Sequence, residues 1–213
     1  MTTMRHADEA NWSARRQRRE STLADVLPDL LAKSASSSRG KQQRPVRLPR
    51  VIPVHRLDRD TSGLMVFART ATAERSLVEQ FREHSIDRAY LAIVSGEITA
   101  QTIESFLARD RGDGKRGSVA DQNAGQHAVT HVRPMEVVNG FTLVECRLET
   151  GRTHQIRIHL SEAGHPVCGD KEYRGSLGQK PIFDRSSAPR LALHAAKLGF
   201  EHPLTGESLL FES

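Results

Sequence analysis

Nine residues, His55-Arg56-Leu57-Asp58-Arg59-Asp60-Thr61-Ser62-Gly63, gather an imidazole, two guanidiniums, two carboxylates and two hydroxyls in one short segment. An ionised carboxylate can attack or stabilise a cationic carbon, and a neighbouring guanidinium keeps it ionised. Asp58 and Asp60 also suit a general acid–base pair, but sugar-cleaving enzymes need an aromatic binding surface. Aromatics make up only 5% of this chain, which weighs against that chemistry. Asp, Ser, Thr and Gly are equally the ordinary residues of a surface turn. The segment alone leaves turn and active site equally open.

A second dense segment runs Gly151-Arg152-Thr153-His154-Gln155-Ile156-Arg157-Ile158-His159-Leu160. Thr153 is the expected N-cap of a helix whose apolar face is Ile156, Leu160 and Ala163, with Gly164 as its stop. That spacing puts Arg157 beside the apolar face and leaves Arg152 in the turn. An arginine near a core needs a carboxylate or phosphate partner. His154, His159 and His165 are spaced by five and six residues, which does not fit helical metal ligation of the HExxH kind. Cys146 and Cys168 form no CxxC pair, so the chain is expected to hold no metal and two buried free thiols. Ser62 has no GxSxG setting, which argues against a hydrolase triad.

Apolar residues Val51, Ile52 and Val54 precede the first segment, and Leu64 to Phe67 follow it. The pattern predicts strand, polar loop, strand. Thr22-Leu23-Ala24-Asp25 resembles a capping box opening a helix over 22–33, which Pro28 should kink or shorten. A helix is predicted over 71–84 and strands over 87–96, 129–138 and 141–148. Asn139-Gly140 is the hairpin turn between the last two. The stretch 108–127 reads as a mobile basic loop, 174–190 as loop, and 191–200 with 207–211 as a closing strand pair.

Of 213 residues, 37% are hydrophobic, and the formal charge is +5. The length suits one well-buried domain, and the charge tilts toward a polyanionic partner. The longest apolar runs are strand-sized, so no membrane span is expected, and no secretory signal is evident. Residues 1–21 read as a mobile basic N-terminal arm, and 34–50 as a basic linker or loop.

Taken in order, four stretches resemble the pseudouridine synthases of the RluA type. They are His55 to Leu64, then Arg88-Ala89-Tyr90-Leu91-Ala92-Ile93-Val94-Ser95-Gly96. Gly151 to Asp170 with Tyr173 follows, then Leu193-His194-Ala195 with His202-Pro203 and Thr205-Gly206-Glu207. The resemblance covers roughly residues 48–212. It implies an α+β fold: a mixed, mainly antiparallel bent β-sheet with flanking helices and a central RNA-binding cleft. It further implies that the chain isomerises uridine to pseudouridine in RNA, without metal or cofactor. Asp58 would be the catalytic aspartate, Tyr90 would lie against the target base, and Arg157 would pair with Asp58. Arg56 would fill the stack vacated by the flipped uridine, and His55, Arg59, Thr61, Arg152, His154 and Gln155 would contact the RNA.

This chain lacks the Asn-Lys-Pro and Val-His-Pro segments that family members usually carry ahead of the first helix. It also has no room for a small N-terminal S4 domain. The catalytic domain is therefore expected over 22–213 and N-terminally shortened, in a cytoplasmic monomer acting on ribosomal RNA in preference to transfer RNA. The competing expectation is a non-catalytic RNA-binding or ribosome-assembly factor of the same fold.

Overall fold

The computed structural model describes residues 21–37 and 50–213. The basic arm expected over 1–21, save residue 21, and residues 38–49 of the basic stretch lie outside the described residues. The chain forms two compact units. The first takes the described residues of Met1–Arg59, with Met65–Ile86 and Phe200–Leu209; the second takes Asp60–Leu64, Asp87–Gly199 and Leu210–Ser213.

The first unit opens with helix α1, Leu23–Ser37. Its capping box forms as read from the sequence. Asp25 N–H donates to Thr22 Oγ1 at 3.3 Å, and Thr22 N–H returns a bond to Asp25 Oδ2 at 2.9 Å. Pro28 lies inside α1 and does not shorten it: the helix runs past the expected end at 33. Proline removes one backbone donor, and the rest of the ladder carries the helix on. The first four residues of the basic stretch 34–50 are thus helical. Strands β1 (Ile52–Pro53) and β3 (Phe67–Ala68) pair antiparallel, giving the expected strand–loop–strand. Helix α2, Ala71–Arg82, starts at Thr70, whose hydroxyl accepts from Ala73 N–H at 3.1 Å, and it buries Leu77.

The second unit is built on a sheet in the order β9-β4-β8-β7-β5-β6, with β2 beside β9. Its strands are β2 Ser62–Gly63, β4 Asp87–Ser95, β5 Gln101–Ala108, β6 Gly117–Val119, β7 Gln126–Val138, β8 Phe141–Leu148 and β9 Leu193–Glu201. Strand β10, Ser208–Glu212, extends the order beyond β9. The β4–β8, β4–β9, β5–β6, β5–β7 and β7–β8 ladders are antiparallel and β2 runs parallel to β9, so the sheet is mixed and mainly antiparallel, within an α+β fold. Between β7 and β8, Asn139 (φ 51°) and Gly140 (φ 78°) both take positive φ, the geometry that twists a two-residue hairpin correctly. Alternation in β8 places Thr142, Val144 and Cys146 inward, and Val144 and Cys146 join Ala92, Val94 and Val132 under Ile156 and Leu160 of helix α3, Gln155–Glu162. Cys146 and Cys168 are buried free thiols. Burial pushes the Cys146 thiol up to about 12.

The stretch 108–127, expected to be a mobile basic loop, is instead a structured connection. Asp110 Oδ1 accepts from Gly112 and Gly114 N–H at 2.8 and 2.9 Å, and β6 pairs with β5. The Arg111 side chain is buried in ion pairs with Asp113 (3.1 Å) and with Glu162 of α3 (3.0 Å). Glu162 lies 51 residues away in sequence, and the stretch's own composition cannot reveal such a partner. Among the described residues, no helix is long and apolar enough to cross a membrane.

Candidate active site

Asp58 belongs to the first unit, in the loop that leaves β1, and is half-buried between exposed Arg56 and Arg59. The loop's base is held by His55. Its Nε2 accepts from Val66 N–H at 3.1 Å, and its ring stacks on Phe81 of α2 at 4.6 Å. An Nε2 that accepts from an amide carries no proton, so His55 serves this contact as the Nδ1–H tautomer.

Within the second unit, the continuation of the same segment is anchored on β9. Ser62 pairs with His194 and Gly63 with Ala195, in parallel register. Leu64 N–H donates to Ala195 O at 2.9 Å, and Ser62 Oγ meets His194 Nδ1 at 2.9 Å. Gly63 is required there: it has φ +113°, and an added Cβ would fall 2.3 Å from Ala195 O. Asp60, at φ 71°, makes the turn into this pairing, a conformation that Asp tolerates better than most residues. Thr61 Oγ1 is buried without a hydrogen-bond partner among the described residues.

Tyr90 lies on the other side of the same strand. In the β4–β9 ladder it pairs with Ala195, at a bulge between Ala89 and Tyr90. Gly63 and Tyr90 therefore flank one residue of β9, with backbones about 10 Å apart at ordinary strand spacing. Tyr90 is partly buried and packs against the core under α3.

The turn before α3 departs from the sequence expectation. Its N-cap is His154, not Thr153; it sits at φ 59° and makes no side-chain capping bond. His154 Nδ1 instead meets the hydroxyl of buried Tyr173 at 2.8 Å. Gln155 braces the turn ahead of the helix. Its Oε1 accepts from Arg152 N–H (2.9 Å) and Thr150 Oγ1 (2.8 Å), while Nε2 donates to Val129 O (2.9 Å) and Thr130 Oγ1 (3.0 Å). These bonds use both acceptor and both donor positions of the amide, so Gln155 shapes the turn. Arg152 Nε donates to His127 O at 2.9 Å. The single apolar face read for α3 is too narrow, because every residue from Gln155 to Ser161 is buried.

Arg157, 8% exposed, is gripped by Asp170, which is 4% exposed. Nε donates to Oδ2 at 2.7 Å and Nη2 to Oδ1 at 2.9 Å, the two-pronged geometry that orients a guanidinium. Glu172 adds a longer contact at 3.4 Å, and the guanidinium carbon lies 4.8 Å from the Tyr173 ring centroid. Burial pushes the Asp170 carboxyl upward. The Arg157 bonds and charge, with the amides of Glu172 and Tyr173, outweigh it and hold the group below its ordinary value. Asp170 and Tyr173 were visible in the sequence only as members of a motif. Their signal was the requirement of Arg157 for a carboxylate, which Asp170 meets thirteen residues on. Behind this cluster, buried His159 joins Thr130 Oγ1 (2.9 Å) to Ser105 Oγ (3.0 Å), and burial lowers its pKa to about 4.

Among the described residues, no cluster of His, Cys, Asp and Glu could hold a metal ion. Of the cations in the basic stretch 108–127, Arg111 is committed to ion pairs, whereas Arg109 and Lys115 are exposed.

Residues 19–162 match a protein family described as RNA pseudouridylate synthase. Over 162 residues the chain is 43% identical to the ribosomal large subunit pseudouridine synthase D of Zymomonas mobilis, covering 75% of this chain and 51% of that protein. It is 44% identical to the uncharacterized RNA pseudouridine synthase YlyB of Bacillus subtilis, covering 75% and 50%. The chain thus spans about half the length of these curated relatives. Among solved structures it is similar to human RNA pseudouridylate synthase domain containing 4, with TM-score 0.68, 25% identity, and coverage of 91% of this chain and 78% of that one. It is also similar to domain containing 1, with TM-score 0.64, 28% identity, and coverage of 78% and 70%.

Proposed function

Because this chain belongs to the RNA pseudouridylate synthase family, we propose that it isomerises uridine to pseudouridine in RNA, with large-subunit ribosomal RNA as the favoured substrate over transfer RNA. The observation that carries this reading is the double pairing on Ala195: Gly63, five residues past Asp58, on one side and Tyr90 on the other. Strand β9 thereby fixes Gly63 and Tyr90 in one register, the kind of frame that chemistry sensitive to small misplacements requires.

In the proposed reaction the target uridine leaves the stack, and Arg56 fills the vacancy. The carboxylate of Asp58 drives cleavage of the N1–C1′ bond. The base turns, C5 bonds to C1′, the C5 proton passes to solvent and N1 takes up a proton. Tyr90 lies against the base and assists loss of the C5 proton. Arg157, held rigid by Asp170, is the charge partner of Asp58. Arg59, Thr61, Arg152 and His154 contact the RNA around the target; Gln155 supports them by shaping the turn. His55 steadies the base of the catalytic loop through Val66 and Phe81. The chain acts as a cytoplasmic monomer, without metal or cofactor.

The test is tritium release from RNA carrying tritium at uridine C5, with wild type and Asp58→Ala. The RNA is total RNA from a matching cell that lacks the enzyme. Release by wild type and none by Asp58→Ala is expected. No release by wild type, with RNA binding retained, would favour the non-catalytic binding factor. Release that survives Asp58→Ala would remove Asp58 from the chemistry.

A further inference from the structure

We propose that Phe183, with Arg174 over its ring, is a stacking platform for an unpaired base next to the target nucleotide. The inference rests on the RNA-directed reading above and adds a binding subsite to it. Residues 174–190 contain no helix or strand. An irregular stretch of that length inside a domain is uncommon unless it is used.

This one is firmly tied down. Ile182 N–H donates to Arg174 O at 2.7 Å, and the Arg174 side chain returns through Nε to Ile182 O at 2.8 Å. Gly175 N–H donates to Ser161 Oγ at 2.6 Å, and Ser176 Oγ donates to Glu162 O at 3.1 Å, fastening the loop to the end of α3. Just past Phe183, the Asp184 carboxylate accepts from Gly169 N–H at 2.7 Å and Ser186 N–H at 2.9 Å. The backbone is clamped on both sides of Phe183. Yet its side chain is 76% exposed, the highest value for a large hydrophobic residue among those described.

A single apolar residue on a surface is ordinary. Three features set this one apart. Its backbone setting is rigid, so a base that stacks there meets a ring already in place. The guanidinium carbon of Arg174 sits over the ring, 5.9 Å from the centroid, in the cation–π arrangement seen where nucleic-acid bases stack. The surrounding chain is basic: Lys171, Lys180, Arg185 and Arg190 are exposed, while the nearby carboxylates Glu172 and Asp184 are engaged by Arg157 and by backbone amides. A polynucleotide laid on this loop meets cations for its phosphates and a π-face for a base.

The position ties the platform to the candidate active site. Arg174 directly follows Tyr173, whose ring lies under Arg157 and whose hydroxyl meets His154. Through this link a base on Phe183 stacks one residue along the chain from the Arg157–Tyr173 cluster and outside it. It must be unpaired, because a stacked and paired base has no free face to offer.

Binding of the full chain to a short fluorescein-labelled single-stranded RNA and to its blunt-ended duplex is measured by anisotropy. Wild type, Phe183→Ala, Phe183→Leu and Phe183→Trp are compared. The exposed position makes all three substitutions compatible with folding, and matching melting temperatures verify this. Phe183→Ala and Phe183→Leu are expected to bind the single strand about five- to a hundred-fold more weakly, with Phe183→Trp close to wild type. Duplex affinity should not follow this series. Equal single-strand affinity for wild type, Ala and Leu would overturn the platform and leave the tritium-release reading intact. An aromatic-dependent series in a protein that releases no tritium would support the platform and refute the synthase.

Discussion

Asp170→Asn tests how Arg157 is held. Asp170 Oδ1 accepts from Arg157 Nη2 (2.9 Å), Glu172 N–H (2.9 Å) and Tyr173 N–H (3.0 Å), while Oδ2 accepts from Arg157 Nε at 2.7 Å. The least costly asparagine rotamer keeps its oxygen at the Oδ1 position. Its NH₂ then faces Arg157 Nε–H, donor against donor, and the buried guanidinium loses its nearest counter-charge, with Glu172 left at 3.4 Å. Breaking one side of a buried pair costs about 3–5 kcal/mol, and asparagine retains part of that through the remaining bonds. We expect a loss of about 2–4 kcal/mol, near 4–16 °C in Tm for a chain of this size. The assay is a thermal melt paired with tritium release measured well below the variant's Tm. A guanidinium free to swing should lower kcat more than it raises KM. A melt within about 2 °C of wild type together with an unchanged kcat would refute the reasoning, because the pair would then neither stabilise the fold nor position the arginine.

His159 is buried with a pKa lowered to about 4, so its contribution to stability is present above its unfolded pKa near 6.5 and is lost as pH falls toward 4. Urea melts across that window should show a loss on the order of 3 kcal/mol that His159→Gln flattens. Gly63→Ala places a Cβ 2.3 Å from Ala195 O at φ +113°; loss of the β2–β9 pairing and of tritium release is expected, with hydrogen exchange of Leu64 N–H accelerated. Arg111→Met leaves Glu162 without its ion pair; a loss of about 1–3 kcal/mol and faster exchange over 110–118 are expected, readable by exchange mass spectrometry.

Local pattern carried much of the fold. The strand over 141–148 was legible, and Asn139-Gly140 located the hairpin, because the positive φ of both residues is set by the dipeptide itself. The capping box at Thr22 and Asp25 formed for the same reason: both partners lie within one turn. Readings failed where the decisive partner was distant. Thr153 has the right side chain for a cap, but the helix starts one residue later, at His154, which Tyr173 engages, and Gln155 braces the preceding turn. Arg111 read as a solvated loop cation until Glu162 reached it from α3.

By itself, the sequence determined the family, the strand–loop–strand around Asp58 and the identity of the candidate residues Asp58, Tyr90 and Arg157, since residue type and order are all that these require. Tertiary structure alone decided that Gly63 and Tyr90 meet across Ala195 and that Asp170 grips Arg157. Strand pairing over 132 residues is a property of the folded sheet, and no local propensity encodes it. The segment at 55–63 was ambiguous in one dimension because a turn and an active site use the same residue types. What distinguishes them is the strand that a turn is fastened to.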